Sequence, residues 1–162
     1  MWIPEAVKPA ADLGIRVVLP RVGIVLGEDG GALGQMLTPF RWGLGSPLGP
    51  GDQYMSWIHI ADLVYLLKFA AEKESIRGPL NAVAPDPVMN RDFTTTLGRV
   101  LGRWTLPLHV PTFMLYLMIG GFAEALLGSQ RVIPKLALDS GFTFRFDKLE
   151  MALRDILVEK TA

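Results

Sequence analysis

Between residues 54 and 60 the chain alternates, placing Tyr54, Ser56, Ile58 and Ile60 on one side of a strand and Met55, Trp57 and His59 on the other. That period gives way within three residues to Leu63, Val64, Leu66, Leu67 and Ala70, with Asp62 where a helix N-terminus favours a carboxylate. The pattern predicts a strand running into a helix over 62–73. Upstream, residues 5–13 read as the end of a helix closed by Gly14. Residues 16–25 form a mostly apolar run, broken by Pro20-Arg21, that fits a strand buried on both faces. A helix over 32–42 follows, with Leu33, Met36, Leu37 and Phe40 on one stripe. The glycine- and proline-rich residues 43–51 form a loop.

Downstream, a strand is expected over 80–83 and a helix over 90–101, with Asn90 or Thr94 available as its cap. Phe142, Phe144 and Phe146 alternate with Thr143 and Arg145 as a half-buried strand, and Asp147 is placed to cap a final helix through Leu149, Ala152, Leu153, Ile156 and Leu157. Strands and helices alternate without repeats, which predicts an α/β fold. No clean linker divides it. A parallel sheet needs helices on both faces and neighbours beside each strand, so strand edges would be left unpaired if part of the sheet were missing.

No formally charged residue lies between Thr105 and Ala123, a run approaching the roughly 20 residues that cross a bilayer. Pro107, His109 and Pro111 interrupt its first half and Glu124 follows Gly120-Gly121. The expectation is a helix over 112–127 that is buried or lies at a protein interface, with no membrane partner.

The 162 residues suffice for one domain with a real core, and sixteen basic against sixteen acidic residues leave no net charge. That balance offers no electrostatic case for nucleic acid or an anionic membrane surface. The absence of cysteine excludes disulfides, thiolate metal sites and a cysteine nucleophile. Residues 1–5 lack the pattern of a secretory signal, and a cytoplasmic location is the expectation.

Chemistry is narrowed by elimination. His59 and His109 stand fifty residues apart, which gives zinc no cluster spacing. No Gly-x-Ser-x-Gly elbow surrounds any serine, and no G-x-G-x-x-G occurs. The nearest glycine runs, Gly27-x-x-Gly30-Gly31-x-x-Gly34 and Gly43-x-Gly45-x-x-x-Gly49, have other spacings, and no tyrosine is followed four residues later by lysine. His59 is suited to acid–base work by its ordinary pKa, or to orienting the joint through a backbone bond. Asp62 reads first as a helix cap.

The aromatic-Ile-His-Ile-x-Asp-Leu run of residues 57–63 resembles the joint that follows the catalytic centre in extended short-chain dehydrogenases, the nucleotide-sugar epimerase superfamily. Residues 14–27 resemble the strand after the active-site helix, and residues 78–85 the next strand and its exit. Gly30-Gly31-Ala32-Leu33, Pro39-Phe40, Gly43-Leu44-Gly45, Pro47-Leu48-Gly49 and Asn81-Ala82-Val83-Ala84-Pro85 resemble, more narrowly, the branch labelled epimerase family protein. The resemblance covers nearly the whole chain. It implies the C-terminal part of a Rossmann-type parallel sheet interleaved with a mainly helical substrate-side subdomain. Residues 1–26 and 59–84 would be Rossmann elements, and 27–58 and 85–162 the substrate side.

The same resemblance implies NADP or NAD for the complete architecture, with none bound by this chain alone, since the glycine turn and Tyr-x-x-x-Lys are missing. It places the substrate beside loops leaving the C-terminal edge of the sheet, where Arg21 is the first candidate, with Gln35, Arg41, Gln53 and His59 after it. Where nucleotide-sugar epimerases carry a phosphate-pairing arginine, this chain has Met55, which weakens a nucleotide sugar as substrate. The narrower branch would carry a Gly-Glu pair near Gly120-Gly121, and here the second place is glycine. The implied partner is an N-terminal cofactor-binding half. The alternative is a noncatalytic interaction or oligomerisation module that binds a partner or self-associates.

Overall fold

Gly23 divides one long apolar run into two strands with different partners. In the computed structural model, which describes residues 7–27, 30–120 and 122–158, the elements follow in the order α1 (Lys8–Asp12), β1 (Val18–Val22), β2 (Ile24–Leu26), α2 (Gly31–Arg41), β3 (Tyr54–Met55), β4 (Trp57–His59), α3 (Ile60–Glu72), β5 (Gly78–Ala82), β6 (Val88–Met89), α4 (Asn90–Val100), α5 (Thr112–Ile119), α6 (Phe122–Leu127), α7 (Lys135–Asp139) and α8 (Leu149–Leu157). The expectations for residues 1–5 and for Gly121 lie outside the described residues.

β1 runs parallel to β5, Val18 beside Gly78 through Val22 beside Ala82. β2 runs parallel to β4, Ile24 beside Trp57. The switch happens at one residue. The Gly23 amide donates to the Ala82 carbonyl at 3.2 Å, and the next amide, Ile24, donates to the Ser56 carbonyl at 2.8 Å. A Cβ on Gly23 would stand 2.4 Å from the Ser56 oxygen and 2.7 Å from Val83 Cγ1, so only glycine allows this crossing of backbones.

The predicted break at Pro20-Arg21 is therefore misplaced. Among the described residues β1 is paired on one side only, and a proline is tolerated at such an edge because its missing N–H costs no ladder bond. For the same reason β1 is not buried on both faces: Pro20, Arg21 and Val22 are exposed.

The alternation over 54–60 divides as expected, Met55 and Trp57 entering one core and Ile58 the other. Ser56 interrupts it, and β3 turns antiparallel to β6 instead of continuing β4. The first core gathers α2, α4 and α8 around Trp57, Phe93 and Leu153. The second packs α3 on β5, with Ala137, Phe142 and Phe144. Arg16 ties the strand entry to α3, donating to the Ala70 and Ala71 carbonyls at 2.8 and 2.6 Å, where the last turn leaves acceptors open.

Five local expectations are corrected. The joint helix starts at Ile60 and its cap is His59, while Asp62 sits inside the first turn. Residues 142–146 keep the buried–exposed alternation yet form no strand: the Phe142 amide donates to the Ala137 carbonyl at 3.0 Å, and the Arg145 and Phe146 amides each donate to one Asp62 carboxylate oxygen at 2.9 Å. Asp147 is not a cap, since α8 opens after Lys148. Asn90 and Thr94 do not cap α4, which opens after Met89 with no side-chain cap bond. The predicted helix over 112–127 is divided into α5 and α6, with Gly120 at φ 56° ending the first. No helix among the described residues is long and apolar enough to cross a membrane.

Candidate functional site

A cleft of about 1240 Å³ opens beyond the C-terminal ends of β1 and β5, between that strand pair, the first turns of α2 and the segment after α6. Its floor is built by Ser56. The Ser56 hydroxyl donates to the Gln130 carbonyl at 2.7 Å and accepts from the Val132 amide at 3.0 Å. The Tyr54 amide donates to Ser129 Oγ at 3.1 Å, and Asn81 Nδ2 donates to the Ile133 carbonyl at 3.2 Å. A segment with no regular structure is thereby fixed along the strand ends by polar side chains in place of a ladder.

Arg21 and Gln35 both line this cleft, Arg21 from the end of β1 and Gln35 from α2. Neither makes a side-chain hydrogen bond or ion pair among the described residues, so their polar groups are free to meet a ligand. Gln130 and Glu124, which the sequence did not single out, line the same space. Their signal was weak: Glu124 lies within α6 and Gln130 after it, and bonds to Ser56, Tyr54 and Asn81, distant in the sequence, hold residues 129–133 along the strand ends.

Arg41, Gln53 and His59 do not line the cleft. Arg41 is exposed at the end of α2. Gln53 is buried and donates through Nε2 to the Leu48 carbonyl at 2.9 Å, leaving its Oε1 without a partner. Nearby, buried Asn90 accepts from the Leu48 amide at 2.7 Å and donates to Met55 Sδ at 3.2 Å. These two amides hold the 43–51 loop on the helical layer.

His59 is 3% exposed and its ring centroid lies 3.9 Å from that of Phe146. Nδ1 accepts from the Ala61 amide at 3.1 Å, which assigns the proton of the neutral ring to Nε2. Nε2 is 3.2 Å from Asp155 Oδ2, close in distance but outside good hydrogen-bond alignment. Burial lowers the His59 pKa, and the Asp155 and Asp62 carboxylates oppose that shift without cancelling it.

The sign of the resulting pH dependence follows. Below the ordinary value of about 6.5 the unfolded chain takes up this proton more readily than the folded one, so stability falls as pH drops from there to the depressed folded value. Denaturation midpoints measured between neutral and mildly acidic pH are expected to decline less steeply in His59→Gln than in the parent. Equal slopes would remove His59 as the source.

With respect to a dinucleotide, the residues present do not supply a complete cradle. The glycine run beginning at Gly27 does join β2 to α2, and Gly31 lines the cleft, yet α2 opens at Gly30 with no side-chain cap and the spacing is not G-x-G-x-x-G. Among the described residues no group of three or more potential metal ligands occurs.

A parallel strand pair with a ligand-sized cleft beyond its C-terminal ends, beside a mainly helical layer, defines a Rossmann-like α/β protein. Comparison with known proteins narrows that class. A family model described as a domain of unknown function, DUF1731, matches residues 110–156. Epimerase family protein SDR39U1 of Mus musculus is 42% identical over 143 residues, covering 88% of this chain and 48% of the relative. Epimerase family protein YfhF of Bacillus subtilis is 39% identical over 162 residues, 99% of this chain and 52% of the relative. The crystal structure of human epimerase family protein SDR39U1 with NADPH superimposes with a TM-score of 0.82 at 43% identity, over 88% of this chain and 48% of that one. Over nearly its whole length the chain is similar to epimerase family proteins, and it corresponds to roughly the C-terminal half of these homologues. It spans about half the length of the curated relatives it matches.

Proposed function

We propose that this chain supplies the substrate-side wall of an NAD(P)-dependent epimerase- or reductase-like enzyme and is not catalytic by itself. The observation that carries the reading is the pairing of a cleft lined by Arg21 and Gln35 with a strand, β1, whose second edge has no partner among the described residues. An unpaired parallel edge is the natural seat for the remaining sheet, and completing it would bring a cofactor-binding half to the mouth of the same cleft.

In this reading residues 1–26 and 59–84 complete the cofactor sheet, and residues 27–58 and 85–162 form the substrate side. The two hydrophobic cores follow that division only in part: Leu26 and Ala84 pack in the helical core, while Ile58, Ala137, Phe142 and Phe144 pack with the strand side. Arg21 would pair with an anionic group of the substrate and Gln35 would bond its polar edge. Arg41, Gln53 and His59 would act on position and stability. The relatives favour this reading over a noncatalytic module.

The test is a fluorescence titration with NADPH. The chain alone is expected to give no saturable change, whereas a fusion carrying the N-terminal half of Bacillus subtilis YfhF ahead of it is expected to bind. Saturable binding by the isolated chain, or none by a folded fusion, would overturn the proposal.

A further inference from the structure

The two loops on the helical side of the molecule are zipped together by their backbones. Gly45 bridges Thr105 and Leu48 bridges Val110, both in parallel sense. The Leu106 amide donates to the Gly45 carbonyl at 2.7 Å and the Val110 amide to the Pro47 carbonyl at 2.9 Å. The Ser46 hydroxyl donates to the Leu108 carbonyl. This zipper, continued by α5, presents Trp42, Trp104, Leu108, Phe113 and Leu117, each 71–91% exposed. Scattered exposed apolar residues are ordinary, but five large ones on joined segments, two of them tryptophan, make a patch.

Charge on the same segments is one-sided. Residues 30–51 and 93–123 contain Arg41, Arg99 and Arg103 and no aspartate or glutamate. Arg99 pairs with Glu150 at 3.2 Å. Arg41 and Arg103 have no ion pair among the described residues, and each precedes an exposed tryptophan in sequence. Acidic residues appear only at the borders: Asp52, Asp92, which lies 4.0 Å from Arg91, and Glu124, which lines the cleft. A chain with no net charge therefore carries a positive, aromatic, apolar face.

We propose that this face is a peripheral docking surface for an anionic lipid bilayer, distinct from the cleft and independent of its proposed role. Tryptophan beside arginine suits the headgroup layer, where an indole has both apolar and polar surroundings and a guanidinium meets lipid phosphate. α5 is eight residues long and apolar throughout apart from Thr112 and the Tyr116 hydroxyl. The depth implied is that of an interfacial element, consistent with the absence of a spanning helix among the described residues.

The experiment is co-sedimentation with vesicles of phosphatidylcholine mixed with phosphatidylglycerol, and with vesicles of phosphatidylcholine alone, following tryptophan emission in parallel. It is run on this chain and on its fusion to an N-terminal half. Both proteins are expected to pellet with the anionic vesicles and to shift their emission to the blue. Replacing Arg41 and Arg103 together with glutamine is expected to weaken partitioning roughly thirtyfold, the combined effect of two arginines near an anionic surface. Trp104→Ala with Leu117→Ala is expected to abolish pelleting while the near-ultraviolet dichroism from buried Trp57 persists. Equal pelleting on neutral vesicles, or none on anionic ones, would overturn the proposal. So would binding by the chain but not the fusion, which would mean that the other half covers the face. A dimer lost in the Trp104 and Leu117 variant, without vesicle binding, would assign the face to a second copy instead.

Discussion

Replacing Trp57 with alanine is expected to move the chemical-denaturation midpoint by the equivalent of about 3–5 kcal/mol, the usual cost of truncating an aromatic residue in a core. Trp57 is fully buried among the side chains of the first core. Its indole Nε1 also donates to the Asp86 carbonyl at 3.0 Å, so alanine removes a hydrogen bond along with volume. Phenylalanine at the same place should retain much of the packing and lose the bond, giving a smaller shift. A midpoint unchanged in Trp57→Ala would show that the residue is not part of the core.

The second large effect is expected at Asp62. Its carboxylate is 1% exposed and accepts the Arg145 and Phe146 amides, one on each oxygen, at 2.9 Å. Hydrogen bonds to a charged group contribute about 1.5–3 kcal/mol each, and a buried amide left without an acceptor adds its own desolvation cost. Asp62→Ala should therefore lower stability by roughly 3 kcal/mol or more. Asp62→Asn, with one acceptor oxygen left, should recover part of that loss. Hydrogen exchange supplies a local readout, since the amides of Arg145 and Phe146 should lose protection before the helices do. Wild-type protection in Asp62→Ala would mean that the 142–146 segment is held by something other than this carboxylate.

Asp62 also shows where sequence patterning reaches its limit. The alternation of Phe142, Phe144 and Phe146 reported burial correctly, because period 2 describes any extended backbone packed on one side. It could not report that the hydrogen bonds run to a carboxylate 83 and 84 positions away. His59 and Asp62 were likewise legible as a polar pair at a joint, and His59 does bond a backbone amide there, but the cap is the imidazole and the carboxylate reaches the 142–146 segment.

The elements with strong periodicity, α2, α3, α4 and α8, were placed within a residue or two of their observed bounds. The sheet was harder, since strand partners depend on residues far apart in the chain. Nothing local marks Gly23, and not Pro20, as the point where one strand passes from β5 to β4. For the cleft, the sequence named Arg21 and Gln35 as candidates, and both line it, Arg21 from within β1 and Gln35 from α2. Gln53 was misleading because a polar residue after a Gly-Pro-Gly loop reads as solvated, whereas this one faces inward to a carbonyl. Whole-chain neutrality hid the one-sided charge of residues 30–51 and 93–123 because summation over a sequence discards direction.

Adjacent residues of β4 enter different cores, Trp57 the one built on α2, α4 and α8 and Ile58 the one built on α3 and β5. A short piece of backbone thus acts as a rivet through both layers. Neither layer can loosen without dragging the rivet from its neighbour, so both walls of the cleft share one melting event, and a ligand gripping either side protects them equally.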